Sequence, residues 1–211
     1  MTTRYEKQKL KQDFAYIIGC DEVGRGCLAG PVVAAAVLLK PHIWTLKRRP
    51  AQLSQVKDSK ILSSELRTKL SCAIKENCFW SIGVVDEKKI DSINIHHASL
   101  LAMRKAVDGL LKNVSCESEK VFISIDGKFR IPSIPYKQEA VIDGDVKIFS
   151  IAAASIIAKV YRDALMTDFD SVHPGYDFSS HKGYATFHHR KMVSKLGISP
   201  IHRKSFCSNY M

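Results

Sequence analysis

The sequence lacks any long hydrophobic run. Its two longest apolar stretches, residues 31–39 and 151–158, are far shorter than the roughly 18 residues that a membrane-spanning helix requires. Residues 1–13 are polar and basic, without the apolar stretch of a secretory signal. We therefore expect a protein that does not span a membrane and that stays in the cytoplasm.

Cysteine patterns typical of zinc sites are also absent. None of the six cysteines belongs to a Cys-x-x-Cys pair, and the histidines at 96–97 and 188–189 are adjacent rather than at zinc-ligand spacing. Disulfides are typical of secreted proteins, and no secretion signal is present. The sequence thus predicts free thiols and no structural zinc.

Acidic residues are scarce. The chain has 32 Lys and Arg against 21 Asp and Glu, which gives a net charge of +11, and no acid follows Asp177. The basic residues of that last segment are Lys182, Arg190, Lys191, Lys195, Arg203 and Lys204. With 45% hydrophobic residues the chain is not disordered, so its charge predicts a folded protein that binds a polyanion.

The hydrophobic pattern predicts one α/β domain with a mixed central sheet flanked by helices. Residues 14–20 and 32–39 are apolar runs rich in β-branched residues and favour a strand pair. Residues 41–60, which contain Pro41, Pro50 and a basic cluster, favour a loop. Ser63 is a suitable N-cap for the first helix. The other expected strands are 79–85, 121–125 and 139–142, and the expected helices are 64–77, 98–111 and 150–168.

The glycine-rich segment 19–26 follows the first predicted strand. It is compatible with a simple turn in which Asp21 accepts backbone hydrogen bonds and glycines adopt positive φ. It also resembles a dinucleotide-binding loop, but such loops open a helix, whereas Pro31 and a valine-rich strand follow here. We therefore reject dinucleotide binding.

Acidic side chains follow three predicted strands: Asp21 and Glu22, Asp126, and Asp143 with Asp145. Each alone is more typical of a turn than of a ligand. If neighbouring strands bring them together, their repulsion requires a cation, and oxygen ligands select Mg²⁺ or Mn²⁺ over zinc. A basic protein with such a centre is typical of a nuclease.

Five blocks of sequence together resemble the bacterial ribonuclease HII (type 2 ribonuclease H) family over about residues 17–206. The blocks are residues 19–31, 58–60, 125–127, 144–163 and 181–206. The resemblance implies the ribonuclease H-like fold and a two-metal site for Mg²⁺ or Mn²⁺. Its ligands would be Asp21, Glu22, Asp126 and Asp145. Asp143 remains an alternative to Asp145, which the family spacing after the glycine favours.

The resemblance also implies an endonuclease that cuts on the 5′ side of ribonucleotides, in RNA/DNA hybrids or embedded singly in duplex DNA. The 2′-hydroxyl, which alone distinguishes RNA from DNA at a given position, would be contacted by Gly24, Arg25 and Gly26. Tyr184 would stack under the next sugar. Phosphate contacts are implied for Ser59, Lys60, Lys159, Arg162, His181, Lys182 and Arg203.

Two alternatives remain. A ribonuclease HIII-like enzyme would prefer long hybrids, but Arg25 between two glycines and the lack of an extra N-terminal domain argue against it. A non-catalytic nucleic-acid-binding module would explain the charge but not the acids at strand ends. We further expect a monomer, with modest substrate affinity because only five residues follow Phe206.

Overall fold

The computed structural model describes residues 1–46, 50–114 and 116–208. Five strands form one sheet in the order β3-β2-β1-β4-β5. Their bounds are Tyr16–Val23 (β1), Val32–Leu39 (β2), Cys78–Val85 (β3), Val121–Asp126 (β4) and Lys137–Val141 (β5). The β1, β2 and β3 strands pair antiparallel, whereas β4 lies parallel to both β1 and β5, so the predicted mixed sheet is confirmed.

Ten helices are found in the described residues. They are Arg4–Leu10 (α1), Pro41–Thr45 (α2), Ala51–Ser54 (α3), Ser64–Asn77 (α4), Glu87–Lys112 (α5), Gly144–Lys147 (α6), Phe149–Val172 (α7), Phe178–His181 (α8), Phe187–Leu196 (α9) and Lys204–Cys207 (α10). The prediction for α4 is confirmed, including its cap, because Ser63 Oγ accepts a hydrogen bond from the Leu66 amide at 3.3 Å.

Helices cover both faces of the sheet, and β2 is buried on both sides. Its Val33 and Val37 side chains pack with α4 and α7, while its Ala34 and Ala36 side chains pack with α5. A strand buried on both faces has no polar side, which explains its uninterrupted apolar sequence. The packing is close, since a Cβ atom at Gly83 would overlap the carbonyl oxygen of Ala102 on α5.

Several predicted boundaries are wrong. The β1 strand extends to Val23 because it continues to pair with β2 through Glu22 opposite Ala34. The α5 helix begins eleven residues before the predicted start at Ala98 and is broken at Asn94, whose φ is 61° and whose side chain caps the second part. The expected loop 41–60 contains two short helices, and its basic residues 47–49 lie outside the described residues, as do residues 209–211 of the C-terminal tail.

The cysteine and membrane predictions can be compared with the described residues. All six cysteines lie there and all are free thiols, as predicted. No helix in the described ranges is long and apolar enough to cross a membrane.

The basic N-terminal segment forms α1 and packs on the domain. Glu6 is buried, and its Oε1 accepts a hydrogen bond at 2.8 Å from the backbone amide of Ser150, in the first turn of α7. A carboxylate there satisfies a free helical amide and complements the helix dipole. This contact joins the chain terminus to the helix that carries part of the site described below.

Candidate active site

Three elements bring the predicted acids to one edge of the sheet. Cys20 on β1 is aligned with Ile125 on the parallel strand β4, so Asp21 and Asp126 are adjacent at the same strand end. Glu22 follows Asp21 and therefore points to the opposite face of the sheet. Asp145 lies on the short helix α6, directly after β5.

The structure distinguishes Asp145 from Asp143. Asp126 Oδ1 accepts hydrogen bonds from the backbone amides of Gly144 at 2.8 Å and Asp145 at 3.3 Å, which holds α6 against the end of β4. The Asp145 side chain is 5% exposed, whereas that of Asp143 is 71% exposed and lies 4.0 Å from Lys147. Asp143 has a left-handed backbone with φ 55°, and this turn places only Asp145 beside Asp126.

The carboxyl groups of the acidic cluster repel one another when charged, and this repulsion contributes to their raised pKa values. Burial raises the pKa of Asp21 well above its ordinary value, and the charges of Glu22 and Asp126 raise it further. Burial also raises the pKa of Glu22, against the opposing effect of Arg25. The pKa of Asp126 is raised by burial and then by the charge of Asp145. The cluster therefore favours a cation that would compensate its negative charge.

Basic side chains of the protein partly supply that compensation. Lys60 Nζ donates to Asp145 Oδ2 at 2.9 Å, and Arg25 Nη1 donates to Glu22 Oε1 at 3.0 Å. The second oxygen of Glu22, Oε2, is buried and has no hydrogen-bond partner among the described residues. An unpartnered buried carboxylate oxygen is costly unless a further group binds it.

The donor set fits a hard divalent cation. All four side chains offer carboxylate oxygens, the ligands that Mg²⁺ and Mn²⁺ prefer, and the unpartnered Glu22 Oε2 gives such an ion a free ligand. As the side chains stand, no three Asp, Glu, His or Cys groups in the part of the chain that the structure describes converge on one metal position. A shared metal position would thus need some of these carboxylates to move from their present positions.

The glycine-rich loop after β1 is held from beneath by Arg203. This fully buried guanidinium donates through Nη2 to the carbonyl of Gly24 at 2.7 Å and through Nη1 to that of Arg25 at 2.9 Å. It also donates to the Gly30 carbonyl through Nε at 2.9 Å. Because its donors are used inside the protein, Arg203 shapes the loop and is not available to a phosphate, contrary to the prediction.

Arg162 has the same role from α7. Its guanidinium, also fully buried, donates to the carbonyls of Pro31 at 3.0 Å, Ala29 at 3.1 Å and Lys182 at 2.8 Å. Its burial is inconsistent with the predicted phosphate contact. Instead it joins α7 to both the glycine-rich loop and the segment that carries Tyr184.

Tyr184 lies beside the glycine-rich loop. Its backbone forms an isolated antiparallel bridge with Cys27, one residue after Gly26, and the residue as a whole is 38% exposed. Lys159 Nζ lies 5.4 Å from the ring centre and Arg162 Cζ lies 5.8 Å from it, so two cations support the same ring. The structure thus brings together the predicted 2′-hydroxyl loop and the predicted stacking residue.

The other predicted phosphate contacts differ in accessibility. Ser59 is buried and its Oγ lies 2.9 Å from Ser155 Oγ, and His181 is buried with Nε2 2.7 Å from the Tyr176 carbonyl. The three lysines are less enclosed. Their present partners are Asp145 for Lys60, Asp163 for Lys159 at 2.7 Å, and Thr167 for Lys182 at 2.6 Å.

Two buried histidines near Tyr184 were not predicted. His189 Nδ1 lies 2.8 Å from the Tyr184 carbonyl, and His189 Nε2 lies 3.0 Å from His202 Nε2. In the sequence, histidine spacing excluded a zinc site and the family resemblance implied a role for His181 alone. No local pattern relates these two residues, because the chain brings them together from α9 and from the segment before α10.

Comparison with known proteins agrees with this geometry. The family model described as Ribonuclease HII matches residues 18–209. A ribonuclease HII of Dehalococcoides mccartyi is 45% identical over 202 residues, which cover 95% of this chain and 90% of the relative. The ribonuclease HII in a PCNA complex from Archaeoglobus fulgidus has a TM-score of 0.71 and 25% identity, covering 92% of this chain and 96% of that one. Bst-RNase HIII in complex with Mn²⁺ has the same fold, with a TM-score of 0.66 and 24% identity over 90% of this chain and 65% of that one.

A mixed sheet with an acidic cluster at one edge and these relatives define a ribonuclease H enzyme, a nucleic-acid hydrolase with the ribonuclease H-like fold. Within that class, the chain belongs to the ribonuclease HII family. The resemblance found in the sequence is thereby confirmed.

Proposed function

We propose that this protein is an endonuclease that cuts on the 5′ side of a ribonucleotide, both in RNA/DNA hybrids and at single ribonucleotides within duplex DNA. The products would carry 3′-hydroxyl and 5′-phosphate ends. The observation that carries the proposal is the proximity of two features: the acidic cluster at the ends of β1 and β4, and the loop 24–26 next to Tyr184.

In this proposal Asp21, Glu22, Asp126 and Asp145 hold two Mg²⁺ or Mn²⁺ ions. Such ions supply an activated water and stabilise the leaving oxygen. Lys60 and Arg25 keep the carboxylates Asp145 and Glu22 compensated until the ions bind. Their positive charge would also suit the phosphates of a bound strand.

The sugar would be tested by the glycine-rich loop. Apart from its chain neighbours, no described residue would lie within 4 Å of a Cβ atom at Gly26, so packing among these residues does not require glycine there. Close approach of the nucleic-acid backbone would explain it, because only glycine leaves room for a sugar against the main chain. Tyr184 beside this loop would stack on the following deoxyribose, which lacks the hydroxyl that would hold the ring away.

The test is a labelled DNA duplex with one embedded ribonucleotide, compared with a full RNA/DNA hybrid and an all-DNA duplex, each in Mg²⁺ and in Mn²⁺. We expect a nick on the 5′ side of the single ribonucleotide and no cut in DNA. The Asp126→Asn variant should bind the duplex and not cut it. Cleavage of the hybrid without cleavage at the single ribonucleotide in either metal would refute the proposal and favour a ribonuclease HIII-like activity.

A further inference from the structure

Two buried histidines form a continuous hydrogen-bonded chain that ends on the backbone of Tyr184. The chain begins where the backbone amide of Ser199 donates to His202 Nδ1 at 2.9 Å. It continues through the 3.0 Å contact between the Nε2 atoms of His202 and His189, and ends at the 2.8 Å contact between His189 Nδ1 and the Tyr184 carbonyl. Neither imidazole is more than 2% exposed.

The partners at the two ends fix the proton positions. A carbonyl only accepts, so His189 carries its proton on Nδ1 and its Nε2 is an acceptor. The Ser199 amide can only donate, so His202 Nδ1 is unprotonated, and the Ser199 hydroxyl, with Oγ 2.7 Å from the same atom, donates to it as well. His202 Nε2–H then donates to His189. Both rings are then neutral and use both nitrogens. Burial lowers the pKa of each ring to about 4, which agrees with two neutral imidazoles at neutral pH.

The Tyr184 segment needs such support because its backbone is unusual. Lys182 and Gly183 both have positive φ, 51° and 80°, and this turn directly precedes Tyr184. The His181 ring stacks on the His189 ring with centres 4.1 Å apart, so the turn rests on the chain of histidines. On its other side the segment contacts the glycine-rich loop, where the Leu28 amide donates to the Gly183 carbonyl at 2.9 Å.

We propose that His189 and His202 are positioning residues that hold the Tyr184 backbone against the glycine-rich loop, and thereby set selectivity for the junction between a ribonucleotide and a deoxyribonucleotide. The inference rests on the proposed function, in which Tyr184 stacks on the deoxyribose. Neither histidine is in contact with the carboxylates, so their effect is on the choice of substrate and not on the hydrolysis step itself.

Two substitutions at His189 separate positioning from packing. The side-chain amide of His189→Asn lies where Nδ1 lies, and it keeps a donor for the Tyr184 carbonyl while losing the contact to His202. The longer amide of His189→Gln reaches the position of Nε2, and it keeps the contact to His202 while losing the donor. His188→Asn is the matched control, because its ring lies next in the chain but is about half exposed and faces Asp177.

The experiment measures kcat and KM for a duplex with a single ribonucleotide and for a continuous hybrid, with the melting temperature of each variant. We expect His189→Gln to lower junction cleavage relative to hybrid cleavage by about tenfold, a modest loss for a misplaced contact. His189→Asn and His188→Asn should keep the wild-type ratio. If His189→Asn and His189→Gln each lose kcat/KM equally on both substrates, and the loss follows the fall in melting temperature, His189 acts only in packing and the proposal is overturned.

A second measurement does not depend on activity. Imidazole ¹⁵N spectra of the wild-type protein at neutral pH should show His189 protonated on Nδ1 and His202 protonated on Nε2, and the opposite tautomers would overturn the chain of hydrogen bonds. A wild-type enzyme with these tautomers that leaves the single ribonucleotide uncut in both metals would refute the proposed function instead. Junction selectivity that His189→Gln leaves intact would refute the positioning role alone.

Discussion

Gly24 and Gly26, which precede and follow Arg25, give the sharpest test of whether the nucleic acid approaches this loop. Gly24 has φ 92°, and a Cβ atom there would overlap the buried guanidinium of Arg162. Gly26 has neither constraint. Its φ is not in the positive region, and within the described part of the chain no residue beyond its two neighbours lies within 4 Å of an added Cβ. The substitutions Gly24→Ala and Gly26→Ala should therefore have different physical effects.

The magnitudes follow from these contacts. Gly24→Ala would place a Cβ atom on a left-handed backbone and against the Arg162 side chain, which three hydrogen bonds to backbone carbonyl groups hold in place. We therefore expect about 2–4 kcal/mol of destabilisation. Gly26→Ala should change the free energy of unfolding by less than about 1 kcal/mol, and in the stabilising direction, because alanine restricts the unfolded chain. Its methyl group would nevertheless occupy the space proposed for the ribose.

The assay pairs urea unfolding with cleavage of the single-ribonucleotide duplex. For Gly26→Ala we expect unchanged or slightly raised stability and at least a tenfold loss of kcat/KM, equivalent to about 1.4 kcal/mol of transition-state stabilisation. Gly24→Ala should lose stability and activity together. If Gly26→Ala folds normally and cleaves within about twofold of the wild type, the nucleic acid does not approach this loop and the argument fails.

Three further outcomes are expected. Asp145→Asn should abolish cleavage while Asp143→Asn retains most of it, and equal losses in the cleavage assay would contradict the assignment of the buried carboxylate. Burial lowers the pKa of His202 from 6.5 to about 4, so its stabilising contribution is complete above pH 6.5 and is lost as pH falls towards 4. The stability advantage of the wild type over His202→Asn should thus shrink by about 2 kcal/mol, after allowance for solvent screening, when urea unfolding is compared at both ends of that range. Lys182→Ala should reduce the slope of log affinity against log salt by about one unit, and an unchanged slope would leave Lys182 without a phosphate contact.

Local features could be predicted from the sequence with good accuracy. The α4 helix and its Ser63 cap depend on residues three or four positions apart, and β2 on a continuous apolar run, so short stretches of sequence contain the necessary information. The acids at the ends of β1 and β4 could be predicted for the same reason, because each directly follows a short apolar run. Their residue types limited the chemistry to oxygen ligands before any distance was known.

Arg162 and Arg203 show what short stretches of sequence cannot predict. The family resemblance found in the sequence implied phosphate contacts for Arg162 and Arg203. In the structure they are buried, because carbonyl groups 131 and 173 positions earlier, those of Pro31 and Gly30, accept their hydrogen bonds. Only the three-dimensional path of the chain provides those acceptors, and without them burial of a charged guanidinium would be prohibitive.

The sequence by itself thus determined the mixed sheet, the presence of acids at the strand ends and the family. Periodicity and residue type are local properties, and the order of the motifs is read along the chain without knowledge of any contact. The tertiary structure decided the rest: which of Asp143 and Asp145 turns inward, how Glu6 reaches the first turn of α7, and how His189 meets His202. Each of these depends on a backbone turn or on a contact between residues from different elements. Such contacts exist only after folding brings distant donors and acceptors within hydrogen-bonding distance.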